Sequence, residues 1–146
     1  MPDPLVPLIP IVHAGATWCM TGLIWFVQIV HYPLMGVVPA DAGPLYAREH
    51  QRRTGWVVGP VMLLEAGAAL LLVWWTHHES AGIPLAWSGL ALLALIWVST
   101  VAVQVPLHAR LAQGFDRAVW QQLVATNWVR TVAWTVRGIL ALVVLW

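Results

Sequence analysis

Four long runs of apolar residues, each broken at helical intervals by single polar side chains, account for most of this chain. They extend from about Ile9 to Met35, Trp56 to Trp75, Leu85 to Leu107 and Trp128 to Trp146. Each is near the roughly 20 residues that cross a ~30 Å hydrocarbon core at ~1.5 Å per residue. Backbone N–H and C=O groups in lipid must be paired within the segment, so spans of this kind are helical. Short connections turn neighbouring spans antiparallel. The expected fold class is all-α, an integral membrane four-helix bundle forming one transmembrane domain over residues 1–146.

The polar positions inside these runs are not scattered. Residues at i, i+3, i+4 and i+7 share a helix face. On span one this face carries His13, Thr17, Thr21, Gln28 and His31, and on span two His50, Arg53, Thr54 and Glu65. Span three contributes Trp97, Gln104 and His108, and span four Asn127, Arg130, Thr131, Trp134 and Arg137. Four such stripes turn inward and are expected to line a polar interior that widens toward one end. Glu65 is the deepest ionisable group. A charge near the bilayer centre costs roughly 2.5–3.5 kcal/mol on insertion scales, so Arg137 is its expected counter-ion. The pair is either a lock on helix register or a catalytic pair in which the carboxylate carries a proton or orients substrate.

Composition places the chain in a bilayer: 60% of residues are hydrophobic, 9% are charged, and the mean hydropathy is +0.77. The net charge is +1 and no Lys/Arg block stands outside the connections, so nucleic acid is excluded as a partner. Cys19 is the sole cysteine, which rules out an internal disulfide or a CxxC motif, and it is expected to pack as a small hydrophobe. All 7 basic residues are arginine, and they fall in or near the first and third connections, whereas "THHESAGIP" has none. Positive charge stays on the cytoplasmic side. Both termini are therefore expected outside, in a bacterial inner (plasma) membrane, with Trp56, Trp74, Trp75, Trp87 and Trp128 as interfacial anchors. The first run has no basic residue before Arg48, so it reads as a retained span rather than a cleavable signal.

Two spans end alike. "QIVHYPLM" (Gln28 to Met35) closes the first and "QVPLHARL" (Gln104 to Leu111) the third, while "HQRRTGW" leads into span two as "NWVRTVA" leads into span four. This pattern suggests two pseudo-symmetric helix-pair repeats. Pro33 and Pro106 should bend their helices and free the carbonyls of Ile29 and Ala102.

The candidate chemistry gathers at the same end. His31, His50 and His108 are candidate metal ligands or axial ligands of haem b, with Glu49 or the amides of Gln28 and Gln104 completing the site. His13, His77 and His78 form a second set at the other face. Gln28, Arg53, Gln104, Asn127, Arg130 and Trp134 are the candidate substrate-binding residues, and Glu65 and Arg137 the candidate catalytic ones. Two function classes follow. One is a haem- or metal-dependent membrane oxidoreductase or oxygenase acting on a lipophilic aromatic or quinone-like molecule. The other is a non-catalytic small subunit or ligand-binding protein whose polar core only fixes packing. The partners implied are membrane lipid, a lipophilic small molecule, and a second copy of the chain or a larger membrane complex.

The segment "VPLHARL", followed by "WQQLVATNWVRTVAWTVRGIL", resembles the third and fourth spans of the anthrone-oxygenase-like family of small four-span membrane proteins. The matching positions are Pro106, His108, Leu111, Trp120, Asn127, Arg130 and Thr131, all in the C-terminal half. The resemblance implies a four-span fold and oxygenation of a polycyclic aromatic. The first half departs from that pattern in "QIVHYP" and "EHQRRTGW", with extra histidine and arginine.

Overall fold

The computed structural model describes residues 8–79 and 82–145, without the side chains of His78 and Glu79. Trp146, the expected end of span four, lies outside them. The described chain is helical between short connections. Helix α1 (Leu8–Phe26) continues through a π turn (Val27–His31) into α2 (Tyr32–Met35), and α3 spans Gly43–Glu79. Helix α4 (Ile83–Ser99) continues through a second π turn (Thr100–Gln104) into α5 (Val105–Gln113), and α6 spans Arg117–Val143. Three rods, Leu8–Met35, Gly43–His77 and Ile83–Gln113, are long and apolar enough to cross a membrane.

The fourth helix has 27 residues, about 40 Å at 1.5 Å each, but it is less apolar than the span expected from Trp128 onward. The reason is its place in the bundle. Asn127, Arg130, Thr131 and Arg137 are all buried on α6, which packs against both α1 and α4. Helix α3 also packs against α1 and α4, so α3 and α6 stand diagonally across the bundle. Helix α3 differs from expectation too. It begins at Gly43 rather than near Trp56, so Arg48, Glu49, His50, Arg52 and Arg53 sit on a helix of 37 residues and not in a connection.

Helix association in lipid rests on close packing at small residues and on interhelical hydrogen bonds. Ala14, Ala69, Ala133 and Ala141 are buried between helices. At Gly138 an added methyl would stand 3.3 Å from the Thr21 hydroxyl and the Trp18 ring, so glycine sets how closely α6 approaches α1. At the connections, a methyl on Gly36 would run into the Trp120 indole, whose Nε1 donates to the Tyr32 carbonyl at 2.8 Å. That carbonyl belongs to the last turn of α2, where the helix leaves acceptors unpaired. Cys19 does not pack inward; it is exposed on the outer face of α1.

Each π turn immediately precedes a proline helix start. Pro33 and Pro106 lack an N–H and crowd the carbonyl four residues back. The backbone answers by widening: the Tyr32 amide donates to Val27 O, and the Val105 amide to Thr100 O, one residue further than in an α-helix. The widened turn also changes which side chain faces in. Gln28 and Tyr32, four apart, are both buried, as are Gln104 and His108, whereas His31 is only half-buried. Aligning the prolines sets His31 opposite Gln104, while aligning the buried amides sets Tyr32 opposite His108. The two halves share a device but no single register. Neither Ile29 nor Ala102 faces the interior space that this end of the bundle encloses.

Candidate functional site

Between α1, α3 and the second π turn lies a cavity of about 440 Å³, within the ~300–1,000 Å³ range of small-molecule sites. Its body is apolar, formed by Met20 and Ile24 of α1, Met62 and Leu63 of α3, and Trp97 and Val101 beyond them. Its rim includes Leu63, Val101 and Val105, all largely exposed, and Gly55. It thus opens sideways, between α3 and the second π turn. Gly55 and Gly59 create that opening: a methyl on either would meet nothing within 4 Å. A Gly-x-x-x-Gly spacing commonly lets two helices touch. Here it faces open space.

The inner end of the cavity is polar. Tyr32, His50, Thr54, Gln104, His108 and Arg130 converge on it. The Tyr32 hydroxyl and His108 Nε2 are hydrogen-bonded at 2.9 Å, and the Thr54 hydroxyl and His50 Nδ1 at 3.0 Å. Arg130 Nη1 donates to Asn127 Oδ1 at 3.2 Å, and the Tyr32 hydroxyl stands in hydrogen-bonding range of the same guanidinium. Asn127 is fixed in turn by donating to Gln28 Oε1 at 2.8 Å, and Gln28 donates to Val124 O at 3.2 Å. Gln104 Nε2 donates to the Thr126 hydroxyl at 3.0 Å. Three atoms at this end stay without a hydrogen-bond partner among the described residues: Gln104 Oε1, His108 Nδ1 and Arg130 Nε. These atoms are closed off from the open space, and the buried knot around Glu65 holds unpartnered atoms of the same kind, Glu65 Oε2, Arg137 Nε, His13 Nδ1 and Trp134 Nε1, so the orphans by themselves do not mark a ligand.

The candidate residues thus separate into four groups. Gln104, His50, His108 and Arg130 line the cavity. Gln28 and Asn127 lie behind it and hold Arg130. Arg53 does not join: its side chain is 77% exposed and pairs with Glu49 at 3.1 Å, because helical α3 carries it past the interior. Trp134, Glu65 and Arg137 form a separate buried knot. Glu65 and Arg137 make an ion pair across the bundle diagonal, with the Arg137 guanidinium also donating to Gly89 O and lying 5.6 Å from the Trp134 ring centroid. The Thr17 hydroxyl donates to Glu65 Oε1 at 3.2 Å. His13 joins this knot, 3.7 Å from Glu65 and 3.4 Å from Arg137. His77 is exposed at the end of α3, and the His78 side chain lies outside the described residues.

The three histidines expected to converge do meet, with ring centroids 4.1 Å apart for His31–His50 and 5.1 Å for His50–His108. His31 stacks on His50 at an interplanar angle of 23°, whereas His108 is tilted by 36° to His50. Ring nitrogens bind a metal in the plane of the ring, and face-to-face rings aim their lone pairs side by side rather than at one point. Among the described residues no group of three His, Cys, Asp or Glu side chains is placed to hold a metal ion. The 4.1 Å stack also leaves no slot for a macrocycle between His31 and His50. The histidines as placed do not form a preorganised metal site, and no step is routed through a metal or haem b. His31 packs behind His50, against Tyr46 at 5.9 Å, and does not reach the cavity.

Sequence reasoning missed Tyr32, Gly55, Gly59 and Met62. Tyr32 sits one position past the expected face because of the π turn, and the two glycines carried a readable signal in their four-residue spacing. A scan against protein-family models and searches of curated proteins and of solved structures return no match. The functional reading therefore rests on the site itself.

Proposed function

We propose that this chain is an integral membrane protein of a bacterial inner membrane, with both termini outside, that binds a planar lipophilic molecule of quinone-like or polycyclic aromatic type. The observation that carries this reading is the cavity: an apolar body, a sideways opening toward lipid, and a polar end on which Tyr32, His50, Thr54, Gln104, His108 and Arg130 converge. The apolar walls take the ring system, and the Arg130 guanidinium donates to its oxygens. His50 and His108 supply neutral or charged imidazole for proton transfer at that end, as an oxidoreductase or oxygenase acting on such a ring needs. The hydroxyls of Thr54 and Tyr32 orient them. A subunit whose polar core served packing alone would have no use for an open space of this size with a polar end.

The test is calorimetric titration of purified protein in lipid nanodiscs with the neutral quinone menadione, beside a Gly59→Phe variant. Gly59 lines the cavity and a methyl there meets nothing within 4 Å. It precedes Pro60, which disfavours a side chain in helical conformation at that position, so the helix content of the variant is checked by circular dichroism in the same nanodiscs. Saturable binding by the native protein, absent in the variant, is expected. Equal heats in both, after partition into lipid is subtracted, refute the reading.

A further inference from the structure

We infer that the molecule taken into this cavity carries a negative charge on its polar head, a carboxylate or an ionised hydroxyl on a quinone ring, held by Arg130. The inference rests on the binding reading above and deepens it. Two arginines are buried in the bundle, Arg137 at 1% and Arg130 at 7% exposure. They are not equivalent. Arg137 has Glu65. Arg130 has only the amide oxygen of Asn127 and the Tyr32 hydroxyl, both neutral, and its Nε has no partner among the described residues.

The described carboxylates are all placed elsewhere. Glu65 pairs with Arg137, and Glu49 with Arg52 and Arg53. Asp116 caps α6 by accepting from the amides of Ala118 and Val119, and Asp41 is exposed in the connection before α3. Arginine does not give up its proton in proteins. A buried cation without a counter-ion is therefore not relieved by titration, and desolvation stands against it until an anion arrives. Its planar fork fits a carboxylate or paired quinone oxygens, and the cavity in front of it offers the apolar body such an anion needs to be lipophilic. Gln28 and Asn127 act as positioning residues: they hold the guanidinium at the cavity wall from behind.

Two matched pairs of probes test this in nanodiscs: 2-hydroxy-1,4-naphthoquinone, an anion in neutral buffer, against its neutral 2-methoxy analogue, and 2-naphthoate against 2-naphthalenemethanol. The native protein is expected to prefer the anion of at least one pair by about tenfold or more. A preference in the naphthoquinone pair assigns the ionised hydroxyl, and one in the naphthalene pair the carboxylate. Arg130→Gln should bring that ratio to about one, and Arg130→Lys, which keeps the charge but not the fork, should retain part of it. If the native protein binds both members of each pair equally, the charge inference is wrong while the ligand reading stands. If none of the four probes, nor menadione, binds saturably, both are wrong. The native comparison needs no variant to fold.

Discussion

Removing one partner of the Glu65–Arg137 pair should unfold this bundle more readily than any other single polar change. Both side chains are almost fully buried, at 0% and 1% exposure. Two unit charges ~4 Å apart attract by about 4 kcal/mol at an effective dielectric of 20, and breaking a buried pair costs roughly 3–5 kcal/mol because the survivor stays desolvated. Folded domains hold only about 5–15 kcal/mol in total. Glu65→Gln isolates the charge, since its side-chain oxygen still accepts from the Thr17 hydroxyl. The guanidinium it leaves has Gly89 O and His13 for company and no means of neutralising itself. Arg137→Met leaves a carboxylate that can take up a proton, so its deficit should shrink in acidic buffer while that of Glu65→Gln does not. In the double variant no charge is left, and stability should return to within about 1–2 kcal/mol of native. The assay is unfolding in mixed micelles followed by circular dichroism. Single variants within about 0.5 kcal/mol of native, or a double variant equal to the sum of the singles, would refute a pair that matters to the fold.

Two further outcomes follow from particular contacts. Gly36→Ala sets a methyl against the Trp120 indole, which its bond to Tyr32 O holds in place; a loss of about 1–3 kcal/mol is expected, and an unchanged melting temperature would mean that the indole moves aside freely. Arg130→Met, in contrast with Arg137→Met, removes a cation that has no acid partner, so the ligand-free variant should melt at or above the native temperature. A collapse of the Arg130 variant would mean that the bonds to Asn127 and Tyr32 outweigh the burial of its charge.

The helices and the deep ion pair were legible because lipid makes the rules strict. A glutamate amid some twenty apolar residues needs a partner, and Arg137 was the one deep cation on another span. The pair forms even though α3 and α6 stand diagonally, and Gly89 of α4 leaves room for the Arg137 guanidinium beside it. What the sequence hid has two physical causes. A π turn shifts every later residue around the helix, so a strict 3.6-residue period placed His31 inward where Tyr32 belongs. The cavity was hidden for a different reason: it is made by side chains that are missing, at Gly55 and Gly59, and by the distance between helices. Arg53 shows the converse. It looked like a substrate contact while α3 was taken to begin near Trp56, and thirteen residues of extra helix carry it out to the surface, beside Glu49.

The most direct measurement is photolabelling with a naphthoquinone bearing a small diazirine, in nanodiscs, with adducts mapped by mass spectrometry. Labels concentrated on Met20, Ile24, Met62 and Trp97, and removed by excess unlabelled quinone, are the expected result. Labels spread over the outward-facing Trp56, Trp74 and Trp87, with no competition by unlabelled quinone, would contradict a binding cavity inside this bundle.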